Sequence, residues 1–195
     1  MNRILDFLLS FIGLLILLPF FLVVAVLIAL DSKGGVFYQQ RRVGRYDKDF
    51  GLLKFRTMFK GSDKKGLLTI GDRDNRVTKV GYYLRKYKLD ELPQLINVFI
   101  GDMSLVGPRP EVRKYVELYS AEQRKVLTVK PGITDYASLM FRNESELMAA
   151  QDNPESYYIQ TILPTKLQYS LQYIERKSFW EDFKIILLTL KQIVA

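Results

Sequence analysis

The stretch ILDFLLSFIGLLILLPFFLVVAVLIAL, residues 4–30, decides the fold of this 195-residue chain because it is almost unbroken hydrocarbon. A bilayer core of ~30 Å needs about 20 apolar residues in a helix, so the run is long enough to enter or cross a membrane. A cleaved signal peptide fits poorly, because the apolar run is too long and only Arg3 provides a basic start. We therefore expect a membrane helix over residues 1–32 and one membrane-associated domain over residues 33–195.

Two paths through the bilayer are open for this segment. The basic residues that follow it place that flank in the cytoplasm by the positive-inside rule; they are Lys33, Arg41, Arg42, Arg45 and Lys48. Pro19 lies near the middle, where it removes a backbone hydrogen bond and kinks a helix. A spanning anchor would carry Arg3 and Asp6 to the far side, whereas a helix broken at Pro19 could enter and return. From the residues alone we favour the spanning anchor, since many spanning helices tolerate proline.

The rest of the chain predicts an α+β domain that is mainly helical. Apolar and polar residues alternate over 36–59 around a polar turn at 46–49, which predicts a β-hairpin. Periodicity and the positions of Gly and Pro assign the remaining segments: loop 60–76, helix 78–88, a helix from Asp90, loop 101–110, helix 111–127, turn 130–135 and mainly helix from 144. The last helix has an aromatic-led apolar stripe, typical of core packing or, beside a membrane anchor, of an interfacial amphipathic helix.

The composition narrows the chemistry that the chain can perform. It contains neither Cys nor His, which excludes disulfides, thiolate metal sites and the usual neutral-pH proton shuttle. Acid–base or nucleophilic steps must fall to Asp, Glu, Lys, Tyr, Ser or Thr. A metal, if present, would be an oxygen-liganded hard cation such as Mg²⁺.

The positive charge is concentrated in one block. Residues 31–90 hold 16 Lys and Arg against 7 acids, whereas residues 91–195 hold 12 against 13. Such a block suits a phosphate-rich partner, namely nucleic acid, a nucleotide or anionic lipid headgroups. A merely solvated basic face is the alternative, and charge alone slightly favours it.

The stretch KLDELPQL, residues 88–95, places two acids side by side. Asp90 and Glu91 could simply cap a helix, since Asp is a preferred N-cap and Pro93 fits a first turn. The same geometry could serve chemistry, because a helix start attracts phosphate. Two carboxylates there become useful if Mg²⁺ bridges them to a diphosphate, or if one of them is a nucleophile.

Four arginines could complete a phosphate site, although each alone could equally form a surface ion pair. Arg85 lies five residues before Asp90, and Arg109 is held between two prolines. Arg56 and Arg142 each follow an aromatic residue. Together with the acid pair, the basic block and the apolar segment, they indicate a diphosphate handled at a membrane surface.

The ordered motifs KFRTM (54–58), LRKYKLDELPQLINVFIGDMSLVGPRP (84–110) and KPGIT (130–134) resemble the bacterial sugar transferases, the monotopic phosphoglycosyl transferases. The likeness runs from the N-terminal helix to the C-terminal helix and implies the small form, a catalytic unit without added domains. It also implies transfer of a phosphosugar from a UDP-sugar to polyprenol (undecaprenyl) phosphate, with release of UMP. In this family Asp90 would be the nucleophile of a ping-pong cycle, through an aspartyl phosphosugar, and Glu91 would complete the dyad and help place Mg²⁺.

The resemblance further implies that Arg56, Arg85, Arg109 and Arg142 bind the phosphates and nucleotide. It replaces the spanning anchor with a re-entrant helix broken at Pro19, on the cytoplasmic face of the bacterial inner membrane. Its partners would be the UDP-sugar, the polyprenol phosphate and the inner leaflet, with no nucleic acid. The oligomeric state stays open, a dimer being one option.

The chain departs from the family pattern at three positions. Leu18 stands where relatives often have Ser before the proline, Asp135 replaces a Gly after the PGIT motif, and Ser170 falls where many members have Asp. A competing hypothesis is a non-catalytic membrane-tethered basic module that binds nucleic acid or anionic lipid through residues 31–90. It predicts steeply salt-dependent binding without turnover.

Overall fold

The computed structural model describes residues 2–62 and 74–194. Most of the predicted loop over 60–76 therefore lies outside the described residues. Helix α1 (Arg3–Asp31) includes Pro19 without interruption of the helix. Within the described ranges it is the one helix long and apolar enough to cross a membrane, and five of its 29 residues are buried: Asp6, Ser10, Phe21, Val24 and Ile28. Most of its surface is therefore suited to lipid, as predicted, while the re-entrant path stays a prediction.

The N-terminal end of α1 is fixed to the rest of the domain by charged side chains. The guanidinium of Arg3 donates to the carbonyl oxygens of Val98 and Phe99, each at 2.6 Å. The buried carboxylate of Asp6 accepts from Ser104 Oγ at 2.9 Å and from the Leu105 amide at 3.0 Å. Both oxygens of this carboxylate, which lies within an apolar helix, therefore accept hydrogen bonds, and these partly offset the cost of burying it.

The C-terminal end of α1 contacts the same domain. The carboxylate of Asp31 accepts from the Val80 amide at 2.9 Å. Arg56 donates to the carbonyl oxygens of Ser32 and Lys33 at 2.8 and 2.6 Å, which satisfies groups left free where the helix ends. The ring of Phe21 packs edge-on against a ring in the following hairpin, Phe55, with centroids 5.0 Å apart. Both ends of α1 therefore belong to one packed unit.

The predicted hairpin is confirmed. Strands β1 (Phe37–Val43) and β2 (Asp49–Phe55) are antiparallel, with Phe37 opposite Phe55 and Val43 opposite Asp49. A short 3₁₀ turn joins them at Arg45–Asp47. Helix α2 (Lys79–Lys86) confirms the helix predicted over 78–88, and Thr78 caps it by accepting from the Gly81 amide at 3.0 Å. Helix α3 (Gln94–Ile100) follows it.

A parallel strand pair replaces part of the predicted loop and turn. Strand β3 (Ser104–Val106) pairs with β4 (Gly132–Thr134), so the prediction of loop and turn alone was wrong there. The two chain segments cross at Gly107 and Gly132, where a Cβ atom on Gly132 would lie 2.1 Å from the Gly107 nitrogen. Only glycine permits this approach, and such a long-range contact leaves no local periodicity to read.

The C-terminal part is helical but more divided than predicted. The expected helix over 111–127 is wrong in its middle, because Ser120 and Gln123 form a reciprocal capping pair that starts a new turn. The observed elements are α4 (Arg113–Val116), a 3₁₀ turn (Gln123–Thr128), α5 (Tyr136–Met140), α6 (Glu144–Ala149), α7 (Pro154–Tyr157), a π turn (Tyr158–Ile162), α8 (Leu163–Arg176) and α9 (Phe179–Val194).

Helix α9 turns its aromatic stripe away from the domain. Asp182 and Ile185 are buried against the domain. The large exposed side chains of the helix are Phe179, Trp180, Phe183, Leu187, Leu188 and Leu190. The stripe is therefore not core, and its exposure agrees with the interfacial alternative.

Candidate active site

The two adjacent acids lie on a 3₁₀ turn (Leu89–Glu91), and not in the first turn of α3 as predicted. Pro93 has no amide hydrogen, so tight i→i+3 bonds replace the expected helical bonds: the Leu92 amide donates to Leu89 O at 3.3 Å. The chain enters this turn through Lys88, whose φ of 54° is left-handed. The α-helix consequently starts at Gln94, four residues after Asp90.

Asn97 holds this turn against the β-hairpin. Its buried side chain accepts from the Leu53 amide at 2.9 Å and donates to Gly51 O at 2.8 Å, both on β2. This docking places Glu91, at the start of the same segment, beside Lys54 of β2. The sequence interpretation missed Asn97, because a buried amide on an apolar helix face gives no signal of its partner.

Glu91 is held by two cations. Its Oε1 accepts from Lys54 Nζ at 2.7 Å, and Arg109 pairs with both carboxylate oxygens, with Nη1 at 3.0 Å from Oε2. Burial acts to raise the pKa of Glu91, but Arg109 and Lys54 outweigh it and hold that pKa well below its usual value. Glu91 is therefore a carboxylate whose charge is already compensated.

Asp90 differs from its neighbour. The residue as a whole is 8 % exposed, and within residues 2–62 and 74–194 its carboxylate makes no hydrogen bond. Burial raises the pKa of Asp90, while the charge of Lys54 opposes that rise. Of two acids adjacent in sequence, one is thus committed to ion pairs and the other presents an unpaired, poorly solvated carboxylate. Such a group is suited to attack an electrophile or to bind a cation.

The loop that carries Arg109 is held by a buried carboxylate. The Arg109 amide lies 3.4 Å from Asp135 Oδ2, and Asp135 Oδ1 caps α5 by accepting from the Ser138 amide at 2.8 Å. Ser170 Oγ also lies 3.4 Å from Asp135 Oδ2. Two of the positions at which the chain departs from the family pattern, 135 and 170, are therefore in contact behind the site.

A second ion cluster lies next to this loop and was not predicted. Glu111 Oε1 accepts from the Tyr158 hydroxyl at 2.6 Å, and Glu111 Oε2 lies 3.3 Å from Arg42 Nη1. Lys166 Nζ is 3.6 Å from Glu111 and 2.9 Å from Glu144. Burial acts to raise the pKa of Glu111, but Lys166 and Arg42 lower it overall. The cluster fixes the residue two positions after Arg109.

The structure brings only some of the predicted arginines to the acid pair. Arg109 contacts Glu91, whereas Arg85 makes no hydrogen bond or ion pair with either acid among the described residues, and its charge only opposes the rise that burial produces in the pKa of Asp90. Arg56 is instead bound to the carbonyl oxygens at the end of α1. Arg142 donates to Gln192 O at 2.7 Å, with its own carbonyl 3.2 Å from Lys88 Nζ. The predicted phosphate-binding roles of these four residues stay predictions.

The donor set fits a Mg²⁺ ion that arrives with a diphosphate. The part of the chain that the structure describes holds no group of three or more acids able to cage a metal. Mg²⁺, however, usually keeps several waters and takes one or two carboxylates together with substrate phosphates. The unpaired carboxylate of Asp90, with Glu91 adjacent, meets that requirement. That Asp90 and Glu91 hold the ion stays a prediction.

Comparison with known proteins places this site in context. The UDP-N-acetylgalactosamine-undecaprenyl-phosphate N-acetylgalactosaminephosphotransferase of Aeromonas hydrophila is 36 % identical over 197 residues, covering 100 % of this chain and 44 % of that protein. The UDP-glucose:undecaprenyl-phosphate glucose-1-phosphate transferase of Xanthomonas campestris pv. campestris is 37 % identical over 195 residues, covering 97 % and 38 %. This chain therefore spans less than half the length of these two relatives.

A shorter relative matches over most of both chains. The exopolysaccharide production protein ExoY of Rhizobium meliloti (strain 1021) is 34 % identical over 204 residues, covering 97 % of this chain and 83 % of that protein. The family model described as bacterial sugar transferase matches residues 1–195, the whole sequence. The motifs around Asp90 and Arg109 thus lie within a full-length match, and the chain belongs to the bacterial sugar transferase family.

Proposed function

We propose that the chain transfers a phosphosugar from a UDP-sugar to polyprenol (undecaprenyl) phosphate, yielding polyprenol diphosphate-sugar and UMP, and that this reaction is the first membrane step of bacterial glycan assembly. The observation that carries the proposal is the carboxylate of Asp90, unpaired among the described residues and adjacent in the chain to Glu91, which binds Lys54 and Arg109. The printed names of the relatives, which pair undecaprenyl phosphate with a UDP-sugar, support this choice of substrates.

In the first half-reaction a carboxylate oxygen of Asp90 attacks the sugar-linked β-phosphorus. The new bond from this oxygen to phosphorus forms as the bond to the bridging oxygen of the α-phosphate breaks, and UMP leaves with that oxygen and its electron pair. In the second half-reaction a phosphate oxygen of polyprenol phosphate attacks the same phosphorus. That attack breaks the aspartyl bond and regenerates Asp90.

This sequence of steps suits a chain without histidine. A carboxylate and a phosphate can each attack through an unprotonated oxygen, so neither half-reaction depends on an imidazole as general base. The charge that develops on the phosphates is met by Arg109, Lys54 and Arg85, since guanidinium and ammonium groups stabilise phosphoryl transfer. Mg²⁺, which Asp90 and Glu91 would hold, would further compensate the charge of the diphosphate.

We also propose that α1 is re-entrant, so that the protein is monotopic on the cytoplasmic face of the inner membrane. Support comes from the two ends of the helix: Arg3 and Asp6 bind residues 98–105, while Asp31 binds Val80 of the same domain. A straight helix that crossed a ~30 Å hydrocarbon core would carry its first turn away from a domain on the other side. Pro19 supplies the position at which the helix can bend inside the lipid.

The topology is testable because the chain contains no cysteine. Single-cysteine variants Asn2→Cys and Lys48→Cys would be treated with a membrane-impermeant maleimide in intact spheroplasts and after lysis. A re-entrant helix leaves both positions unlabelled until lysis. Labelling of Asn2→Cys, but not of Lys48→Cys, in intact spheroplasts would establish the spanning anchor instead.

The reaction is tested with purified protein, Mg²⁺, polyprenol phosphate and a panel of UDP-sugars. We expect one UDP-sugar to yield UMP, and Asp90→Asn to lower kcat by about 10³-fold or more because an amide is a poor nucleophile. UDP as the only nucleotide product, or full activity of Asp90→Asn at an unchanged Tm, would refute the mechanism. The competing basic-module hypothesis predicts no turnover, and it is disfavoured because Arg42, Lys54 and Arg56 of the basic block are bound internally.

A further inference from the structure

We propose that Lys54 is a diphosphate-binding residue of the active site. In the absence of substrate, the Glu91 carboxylate binds the Lys54 ammonium and the Arg109 guanidinium, and the diphosphate of the UDP-sugar displaces that carboxylate when it binds. This inference rests on the proposed function, since it concerns the same diphosphate. It assigns to Lys54 a contact with the substrate. Glu91 then competes with the substrate's diphosphate for the side chains of Lys54 and Arg109.

The first support is the geometry of the ion pairs. One carboxylate is shared by two cations: Lys54 Nζ lies 2.7 Å from Oε1 of Glu91, and Arg109 binds both oxygens in the bidentate manner that guanidinium also uses for phosphate. An ammonium and a guanidinium that converge on two oxygens form the donor arrangement that a phosphate group requires.

The second support is access. The side chains of Lys54 and Glu91 are each 18 % exposed, and that of Arg109 is 29 % exposed. The cations are therefore close to solvent, unlike the deeply buried Lys166. A ligand can reach them without unfolding the hairpin or the loop that carries them.

The third support is the position of Lys54 relative to the nucleophile. Lys54 is the charged group that acts most strongly on Asp90, ahead of Arg85 and Arg109. Lys54 also binds Glu91, the residue that follows Asp90 in the chain, so we expect a phosphate presented to Asp90 to come within reach of the Lys54 ammonium. Its phosphate oxygens then compete with Glu91 for that ammonium.

The direction of the exchange follows from charge. A nucleoside diphosphate carries at least two negative charges on several oxygens, whereas Glu91 offers one charge on two oxygens. The diphosphate can satisfy both cations at once, and the displaced Glu91 carboxylate becomes available at the moment the substrate binds. Removing Glu91's charge should accordingly strengthen diphosphate binding, while removing that of Lys54 should weaken it.

The first arm of the test measures UDP affinity by calorimetry on full-length protein in detergent with EDTA. Lys54→Met should weaken UDP binding by about tenfold or more, the loss expected for one charge-assisted hydrogen bond, and Lys54→Arg should recover most of it. The matched control is Lys48→Met, which removes an exposed lysine from the turn of the same hairpin and should leave UDP affinity unchanged. Equal UDP affinity in Lys54→Met and wild type would overturn the inference.

The second arm uses Glu91→Gln, which keeps the shape but removes the competing charge. We expect UDP to bind about threefold or more tightly to this variant in EDTA, which a purely structural role for Glu91 would not produce. Unchanged or weaker UDP binding by a folded Glu91→Gln variant would contradict the partner exchange. UMP release by the wild type is measured on the same preparation: its absence counts against the proposed function, whereas normal release with unaltered variant affinities counts against this inference alone.

Discussion

Two glutamates close to Arg109, the half-buried Glu91 and the buried Glu111, each bind two cations but serve different purposes. The site cluster consists of Glu91, Lys54 and Arg109, and the interior cluster consists of Glu111, Arg42, Lys166 and Tyr158. In each, two cations lower the pKa of a carboxylate that burial alone would raise. Only the site cluster borders an unpaired acid, Asp90.

The difference between the clusters is solvent access. The side chains of Glu111 and Lys166 are 9 % and 8 % exposed, about half the exposure of Glu91 and Lys54. Glu111 also accepts a hydrogen bond from Tyr158, so its oxygens are more fully occupied. A sealed cluster cannot exchange partners and therefore holds the loop rigid, whereas an open cluster can exchange its carboxylate for a phosphate.

The largest expected effect on stability comes from opening the interior cluster. Glu111→Ala leaves Arg42, Lys166 and Tyr158 without their shared acceptor, and we expect a loss of about 3–5 kcal/mol in the free energy of unfolding. Denaturation in detergent, followed by circular dichroism, measures it, with exposed Glu117→Ala as the control. A loss as small as that of the control would show that the interior cluster is not structural.

Acid should reduce the stability that the interior cluster gives to the wild-type protein. Because the folded pKa of Glu111 is below the usual value of 4.5, its stabilising contribution is complete above that pH and is lost as pH falls through the lower folded value. Comparing Tm between about pH 5 and pH 3 should show a steeper fall for the wild type than for Glu111→Gln. Parallel curves would mean that other groups control the acid transition.

Disrupting the site cluster should lower the free energy of unfolding by less than disrupting the interior cluster. Glu91→Ala leaves Lys54 and Arg109 unpaired, but water can partly solvate both, so we expect a loss of about 1–2 kcal/mol. The comparison fails if this variant loses as much stability as Glu111→Ala under the same conditions.

The smallest change in stability is expected from removing a solvent-exposed ion pair. Lys125 and Glu122 lie 2.7 Å apart, but their side chains are 61 % and 65 % exposed. Lys125→Ala should change stability by less than about 0.5 kcal/mol, since solvent screens such pairs. A larger change would indicate that solvent exposure does not determine how much the two clusters and the Lys125–Glu122 pair contribute to stability.

The membrane helix, the hairpin and α2 could be predicted from sequence because each depends on local pattern. The pairing of β3 with β4 could not, because it depends on Gly107 and Gly132 approaching from distant parts of the chain. The break between α4 and the 3₁₀ turn depends on the Ser120–Gln123 capping pair, which outweighs a helical pattern. Tertiary contact and local capping thus account for the misses in the fold.

The acid pair could be found in the sequence, but the sequence pattern alone could not say which acid is the nucleophile and which supports it. Composition and spacing treat Asp90 and Glu91 alike, and only the resemblance separated them. The structure supplies a physical difference, because Glu91 pairs with Lys54 and Arg109 whereas the Asp90 carboxylate has no hydrogen-bond partner in the described part of the chain. Arg56 was predicted to bind phosphate but binds carbonyl oxygens at the end of α1. A sequence does not distinguish these two uses of a guanidinium group.

The contact of Asp6 with Ser104 bears on how the protein is made. The two residues are 98 positions apart, so the carboxylate is synthesised long before its partner. An unpaired carboxylate resists insertion among lipid tails, which favours holding the first turn of α1 at the bilayer surface until β3 has been translated. Final seating of the helix would therefore wait for folding of the domain, and an N-terminal fragment without Ser104 and Leu105 would lack the hydrogen-bond donors of this carboxylate.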